Sequence, residues 1–241
     1  MALLSLHGVS KSYGAVKVTN DISLAVEAGE TLGILGPNGA GKTTLFNLIS
    51  GDVRCDAGRV EYDGRDVTRL APHRRCRSGI GRSYQVPQPF GAMTVFENLV
   101  TAACFGGGEP EHAAWKTARA VLEQTGLSAQ ANRPAASLRL LDRKRLELAR
   151  ALATKPKLLL LDEIAGGLTE HEAKELVAEL ARIKASGVTM VWIEHVVHAL
   201  LALADRLFVI NFGAKLAEGE PQSVMRDPEV RRVYMGLEVA A

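Results

Sequence analysis

The run GPNGAGKT, residues 36–43, matches the pattern G-x-x-x-x-G-K-[ST]. Those residue types at that spacing suit one task, cradling a chain of phosphates. Gly36, Pro37, Asn38, Gly39, Ala40 and Gly41 form a loop whose glycines let backbone N–H groups turn inward around phosphate oxygens. A helix opening at the end of the loop adds its partial positive charge. Lys42 would reach the β- and γ-phosphates, the Thr43 hydroxyl would ligate Mg2+, and Thr44 completes the nucleotide-binding set. A second run, LLLLDE at 158–163, supplies acids. A buried strand would deliver Asp162 to the magnesium side of the site. Glu163 follows at the strand's end, placed to polarise a water against the γ-phosphate. A core strand ending in two solvated acids is common; the phosphate loop in the same chain argues against that plainer explanation.

Three further residues carry little weight singly. Gln85, on a loop after a predicted strand, could be polar surface. His195, in VWIEH, could be structural. Tyr13 could be core or turn. Their order gives them meaning: Tyr13, phosphate loop, Gln85, a helical stretch, LLLLDE, His195.

The elements that must position these residues can be read from periodicity. Residues 3–9 and 22–26 alternate apolar and polar, as half-buried antiparallel strands do. Residues 31–35 are a buried strand, 43–50 a helix stopped by Gly51, and 59–62 a strand before the turn Asp63-Gly64. Residues 79–85 read as a strand leading into the loop VPQPFG. The pattern then turns helical over 94–104, 111–125 and 140–154, with Gly106–Gly108 as a flexible link. Strands return at 158–161, 188–193 and 207–210. A helix at 169–186 opens with the capping box TEHE, Thr169 to Glu172. Strands alternating with helices predict an α/β fold with a mainly parallel sheet.

Composition narrows the class. The chain has 241 residues, 47% hydrophobic and 23% charged, with a net charge of +2, which makes no case for a nucleic-acid partner. Basic runs such as Arg143-Lys144-Arg145 read as solvated helix faces. No apolar run reaches the roughly 20 residues of a membrane span, and MALLSLHGVSK lacks the features of a signal peptide. Three widely spaced cysteines fit neither a zinc site nor a disulfide framework, so a reduced, cytosolic protein is expected.

Tyr13, GPNGAGKTT, Gln85, the ARAL run at Ala149–Leu152, LLLLDE and His195 together resemble the ATP-binding-cassette ATPases over essentially the whole chain. The resemblance implies a P-loop (RecA-like) ATPase core with an N-terminal antiparallel β subdomain and an inserted α-helical subdomain. It divides the single domain, 1–241, into a core of 1–92 and 155–241 and a helical subdomain of 93–154. It implies ATP and Mg2+ as cofactors. Tyr13 would stack on adenine. Gln85 would touch magnesium and the attacking water and sense a transmembrane subunit. His195 would contact the γ-phosphate. The family works as a head-to-tail dimer with two nucleotides sandwiched between subunits.

GVSKSYGAVKVTNDISL, MTVFENL, EIAGGLTEHE, WIEHVVHAL and the tail DPEVRRVYMGLE, with Pro228, Val230 and the ending VYMG, look like ATPases of branched-chain amino acid importers. Related importers of aromatic acids, amides or urea, and lipopolysaccharide-export ATPases, have similar cassettes. The resemblance implies transmembrane permease subunits, a periplasmic or lipid-anchored solute-binding protein, and a place on the cytoplasmic face of the inner membrane. Permeases would dock near residues 85–97, where Phe90 and Met93 are exposed. The alternatives are an export ATPase and a soluble, non-transporter regulatory cassette.

One segment departs from the family. Counting back from ARAL, the L-S-G-G-Q signature falls on Leu138, Arg139, Leu140, Leu141 and Asp142. Only the leucine survives. In the family this segment binds the γ-phosphate held by the opposite subunit. Arg139 could bring a guanidinium to phosphate. Leu140 and Leu141 hinder close backbone approach, and Asp142 would repel a triphosphate. A packed helix and a working variant signature both remain open, as do homodimer and heterodimer. Ile164 also replaces the usual proline after the glutamate, and Thr169 the usual aspartate.

Overall fold

A computed structural model describes residues 2–235; Gly236 of the VYMG ending lies outside the described residues. In chain order the elements are β1 (Ala2–Tyr13), β2 (Val16–Glu27), β3 (Thr31–Leu35), α1 (Lys42–Ser50), β4 (Ala57–Tyr62), β5 (Arg65–Asp66), α2 (Pro72–Arg77) and β6 (Ile80–Ser83). Then come α3 (Val95–Phe105), α4 (Glu111–Gln124), α5 (Leu140–Ala153), β7 (Leu158–Asp162), α6 (Glu170–Ala185) and β8 (Thr189–Ile193). The chain closes with α7 (Val197–Leu203), β9 (Arg206–Asn211), β10 (Ala214–Gly219), α8 (Pro221–Arg226) and α9 (Pro228–Met235). The chain forms two compact units, one up to Ala71 and again from Thr189 on, the other Pro72–Val188.

The first unit holds an antiparallel sheet in the order β2-β1-β4-β5. Its strands alternate buried and exposed residues, so Leu4, Leu6 and Val9 of β1 and Ile22, Leu24 and Val26 of β2 turn inward. The same unit carries the strands β10-β9-β3-β8. Here β3 pairs in parallel with both β8 and β9, and β9 meets β10 antiparallel. Every residue of β3 and β8 is buried, the pattern of central parallel strands covered on both faces. Helix α1 sinks Leu45, Phe46, Leu48 and Ile49 and ends at Gly51, whose φ of 87° and amide bond to the Asn47 carbonyl make the expected stop.

The tip joining β9 to β10 has Phe212 and Gly213 at φ 46° and 75°, the signature of a type I′ turn. Phe212 is 88% exposed, so its ring earns little burial against a left-handed backbone. Phe212→Asn is therefore expected to stabilise the protein by about 1 kcal/mol, read as a higher melting temperature. An unchanged or lower value would mean that the ring makes contacts that outweigh the strain.

The second unit pairs β6 with β7 in parallel and packs α3, α4 and α5 together, with α5 against both strands. Helices α3 and α6 begin in capping boxes, Thr94 with Glu97 and Thr169 with Glu172. The glycine link after α3 is packed at its start: Gly106 caps the helix, and a Cβ there would lie 2.5 Å from Thr154 Cγ2, whereas Gly108, at φ 72°, is exposed. Helix α2, the β5 edge and β10 were not legible in the periodicity, being short or only half-buried.

Candidate nucleotide and hydrolysis site

In the first unit, β3 runs straight into the phosphate loop, and α1 begins at Lys42. The loop is threaded closely through its surroundings. A Cβ on Gly36 would meet the Ile210 carbonyl oxygen at 2.3 Å, and one on Gly41, at φ 104°, the Val18 carbonyl oxygen at 2.4 Å. Only glycine fits either place. Lys42 is buried, and its Nζ donates to the carbonyls of Gly36 (2.7 Å) and Pro37 (2.9 Å), so the cation lies across the loop. Helix α1 has no side-chain cap and no acid in its first turn. Its N-terminal partial charge is thus offset by nothing of its own, as an anion site requires. Thr43 and Thr44 stand in that first turn.

Tyr13 ends β1 and is 48% exposed, its ring 5.6 Å from Lys11 Nζ. Asp56 pins this end of the strand by accepting from Lys11 Nζ (2.6 Å) and the Ser12 amide (2.7 Å). The Lys11 bond, then the Ser12 amide, hold its carboxyl below the usual carboxylate range. His195 is exposed just past β8. Glu194, buried beside it, accepts from the amides of His195 (3.0 Å) and Val196 (3.4 Å), which fixes the bend that presents the imidazole.

In the second unit, β7 ends on the buried Asp162, and Glu163 follows with φ 46°. A left-handed glutamate is a conformation held by its surroundings. The Gln85 amide Nε2 donates to Glu163 Oε2 at 2.5 Å. Lys144, buried on α5, donates to the carbonyls of both Gln85 (2.9 Å) and Glu163 (3.2 Å). Gln85, Glu163 and Lys144 therefore close a ring of hydrogen bonds. Further along α5, Arg150 donates to the Gln88 carbonyl (2.8 Å) and lies 5.2 Å from the Phe90 ring. Asn98 holds the Phe90 amide and carbonyl. Sequence reading missed these anchors, since nothing in the spacing of Lys144 and Arg150 marks them as bonding partners of a loop. It missed Arg82 too, whose Nη2 donates to Asp162 Oδ2 at 3.0 Å. An arginine within a short buried strand was the available signal. The loop so held exposes Tyr84, Val86, Phe90 and Met93.

The signature-equivalent segment opens α5. Leu138 is buried, Arg139 is the exposed N-cap residue, and Leu140 is 45% exposed. Leu141 is half-buried. Asp142 lies 3.8 Å from Arg145, which also donates to Glu175 (2.9 Å) and Glu179 (2.7 Å) of α6. Burial pushes the Glu179 carboxyl up, against the pull of Arg145.

The donors present suit the expected ligands. An uncapped helix start behind a glycine loop fits a polyphosphate, and the Thr43 hydroxyl and Asp162 carboxylate are hard oxygen donors suited to Mg2+.

Known proteins agree with this architecture. The ABC transporter family model matches residues 19–166. A model described as branched-chain amino acid ATP-binding cassette transporter matches residues 214–240. A probable ABC transporter ATP-binding protein of Azorhizobium caulinodans is 39% identical, over 98% of this chain and 83% of its own length. The high-affinity branched-chain amino acid transport ATP-binding protein BraF of Pseudomonas aeruginosa is 34% identical, over 97% of this chain and 98% of its own. The lipopolysaccharide export system ATP-binding protein LptB of Haemophilus influenzae is 34% identical, over 98% of both. The solved structure of a nucleotide-free ATP-binding cassette from an ABC transporter superposes with a TM-score of 0.88 at 32% identity, covering 98% of this chain and 100% of that one. The chain belongs to the ABC transporter family, as an ATP-binding, ATP-hydrolysing cassette.

Proposed function

We propose that this chain powers an importer for branched-chain amino acids or related small polar or carboxylate solutes. The family match over 214–240, which takes in β10, α8 and α9, is the observation that carries the importer reading. Lipopolysaccharide export is the alternative, supported by the similarity to LptB. No helix among the described residues is long and apolar enough to cross a membrane. The chain would work from the cytoplasmic face through transmembrane permease subunits, docked on the loop that exposes Val86, Phe90 and Met93.

At the nucleotide, Tyr13 stacks on adenine and Lys42 neutralises the phosphates. Thr43 and Asp162 hold Mg2+, whose contribution is to offset phosphate charge. Glu163 takes the proton of the attacking water. Gln85 helps to place that water, and His195 holds the γ-phosphate. The core would comprise 1–92 and 155–241, with 93–154 as the helical subdomain.

The altered signature makes the assembly asymmetric. Arg139 and Leu140 lie on the surface, so they remain available to an opposing subunit. Asp142 is drawn toward Arg145, yet Leu140 and Leu141 still keep a phosphate from the backbone. A homodimer would have two altered half-sites. A heterodimer with a second ATPase of ordinary signature would have one, and this chain's own phosphate loop would form the productive site. The purified chain alone is then expected to hydrolyse ATP slowly. Adding the partner ATPase, permease and solute-binding protein in vesicles should raise the rate and drive leucine uptake. Fast turnover by the isolated chain, with a large loss in Arg139→Ala, would instead make Arg139 a phosphate ligand and the homodimer competent. Stimulation without uptake of any branched-chain amino acid would remove the solute assignment.

A further inference from the structure

Arg82 is a buried charge to which the roles above assign nothing. It lies on β6 opposite Leu160 of β7, and that register brings its guanidinium to the end of β7. Its Nη2 donates to Asp162 Oδ2 at 3.0 Å, with the two side chains only 7% and 5% exposed. The guanidinium carbon is 4.7 Å from the centre of the Tyr84 ring, which covers it on one side. A guanidinium stays charged at every working pH. Out of water its field is poorly screened. Asp162 is thus matched to a permanent cation through one oxygen. A carboxylate offers about four acceptor positions on its two oxygens, so a bond from Arg82 does not exhaust what Asp162 can offer a second cation.

We propose that Arg82 is a positioning residue for hydrolysis that sets how tightly Asp162 grips the metal. It holds Oδ2 in place, and its fixed charge weakens the attraction of the acid for a dication, so that the metal–nucleotide product can leave. The proposal rests on reading Asp162 as a magnesium ligand. Its direction follows from charge. A dication approaching Asp162 meets a carboxylate already offset by Arg82, and it is itself repelled by the guanidinium. Removing the guanidinium while keeping the carboxylate strengthens the metal's part of binding. A lysine at 82 keeps the charge and should keep the effect. If Arg82 only held the strand ends together, charge-free variants would disorder Asp162 and weaken metal binding.

The test is calorimetric. ADP is titrated into the purified chain with Mn2+ and, separately, with EDTA; the ratio of the two affinities is the metal's contribution. Arg82→Gln and Arg82→Met are expected to raise that ratio roughly tenfold. Arg82→Lys should stay within about twofold of the unaltered protein. Metal-free ADP affinity should hold in all three, and Asp162→Asn should lower the ratio toward one. A ratio unchanged or lowered in the charge-free variants, while Asp162→Asn still lowers it, overturns the role given to Arg82. An unaltered ratio in Asp162→Asn overturns the reading of Asp162 instead. Met retains the volume of the arginine stem, so it decides the question where Gln does not fold. Should neither fold, Arg82→Lys decides alone: a ratio more than about threefold from that of the unaltered protein overturns the proposal.

Discussion

Glu163→Gln is expected to keep ATP bound while lowering steady-state hydrolysis by on the order of 10²–10⁴-fold, the usual contribution of a positioned general base. The substitution keeps the size of the side chain and removes its ability to take a proton. What holds the residue in place is mostly main chain. Its left-handed backbone is kept by the Lys144 bond to its carbonyl, and the new amide can still turn its oxygen toward Gln85 Nε2. Fold and melting temperature should therefore survive. ATP affinity by calorimetry and phosphate release at saturating ATP separate binding from chemistry. Turnover within a few-fold of the unaltered protein would take the base's role away from Glu163. In the heterodimer proposed above, the same change in the partner should cost far less, because only this chain's site would face an ordinary signature.

Lys42→Ala should fail earlier, at binding. A charge-assisted contact to phosphate is worth about 1.5–3 kcal/mol, or on the order of 10–150-fold in Kd. In the structure the ammonium crosses the loop to the carbonyls of Gly36 and Pro37. Its loss therefore also frees the loop that presents the amides, which places the expected effect at the upper end of that range. Calorimetry with ATP and Mg2+ reads it directly. Affinity within threefold of the unaltered protein would show that the loop amides and the start of α1 hold the phosphates without the lysine.

The two changes together separate a base from a binding group, and they touch parts of the chain that sequence reading found for different reasons. The phosphate loop is legible because it is local. A strand, a glycine turn and a helix start follow one another within one short run, and Gly36 and Gly41 have no substitute where carbonyls approach within 2.3 and 2.4 Å of a would-be Cβ. The capping boxes at Thr94 and Thr169 are local in the same sense, each reaching three residues. Only the second of them was read. Strand β3 emerged intact from its apolar run. Strand β6 was read one residue too early and two too far, because the pairing with β7 runs only from Ile80 to Ser83 and nothing in the composition marks those points.

What holds the acids in place was not legible. Arg82 reaches Asp162 across 80 residues of chain, Gln85 reaches Glu163 across 78, and Lys144 reaches Gln85 across 59. Periodicity reports which face of a helix or strand turns inward, and it correctly puts Lys144 on a helix. It cannot report what a buried polar group bonds to, since strand register and helix packing choose the partner. The basic run of α5 illustrates the difference. By composition it is a solvated face, yet Lys144 is buried against two carbonyls, Arg145 joins α6, and Arg143 turns back to the carbonyls of Leu138 and Ala136. The sequence by itself determined the chemistry available: a phosphate loop, two acids, a glutamine, a histidine and an altered signature. Tertiary structure decided which charges lie beside those acids, because burial without a partner is costly for a charged group and only the folded chain brings the partners near.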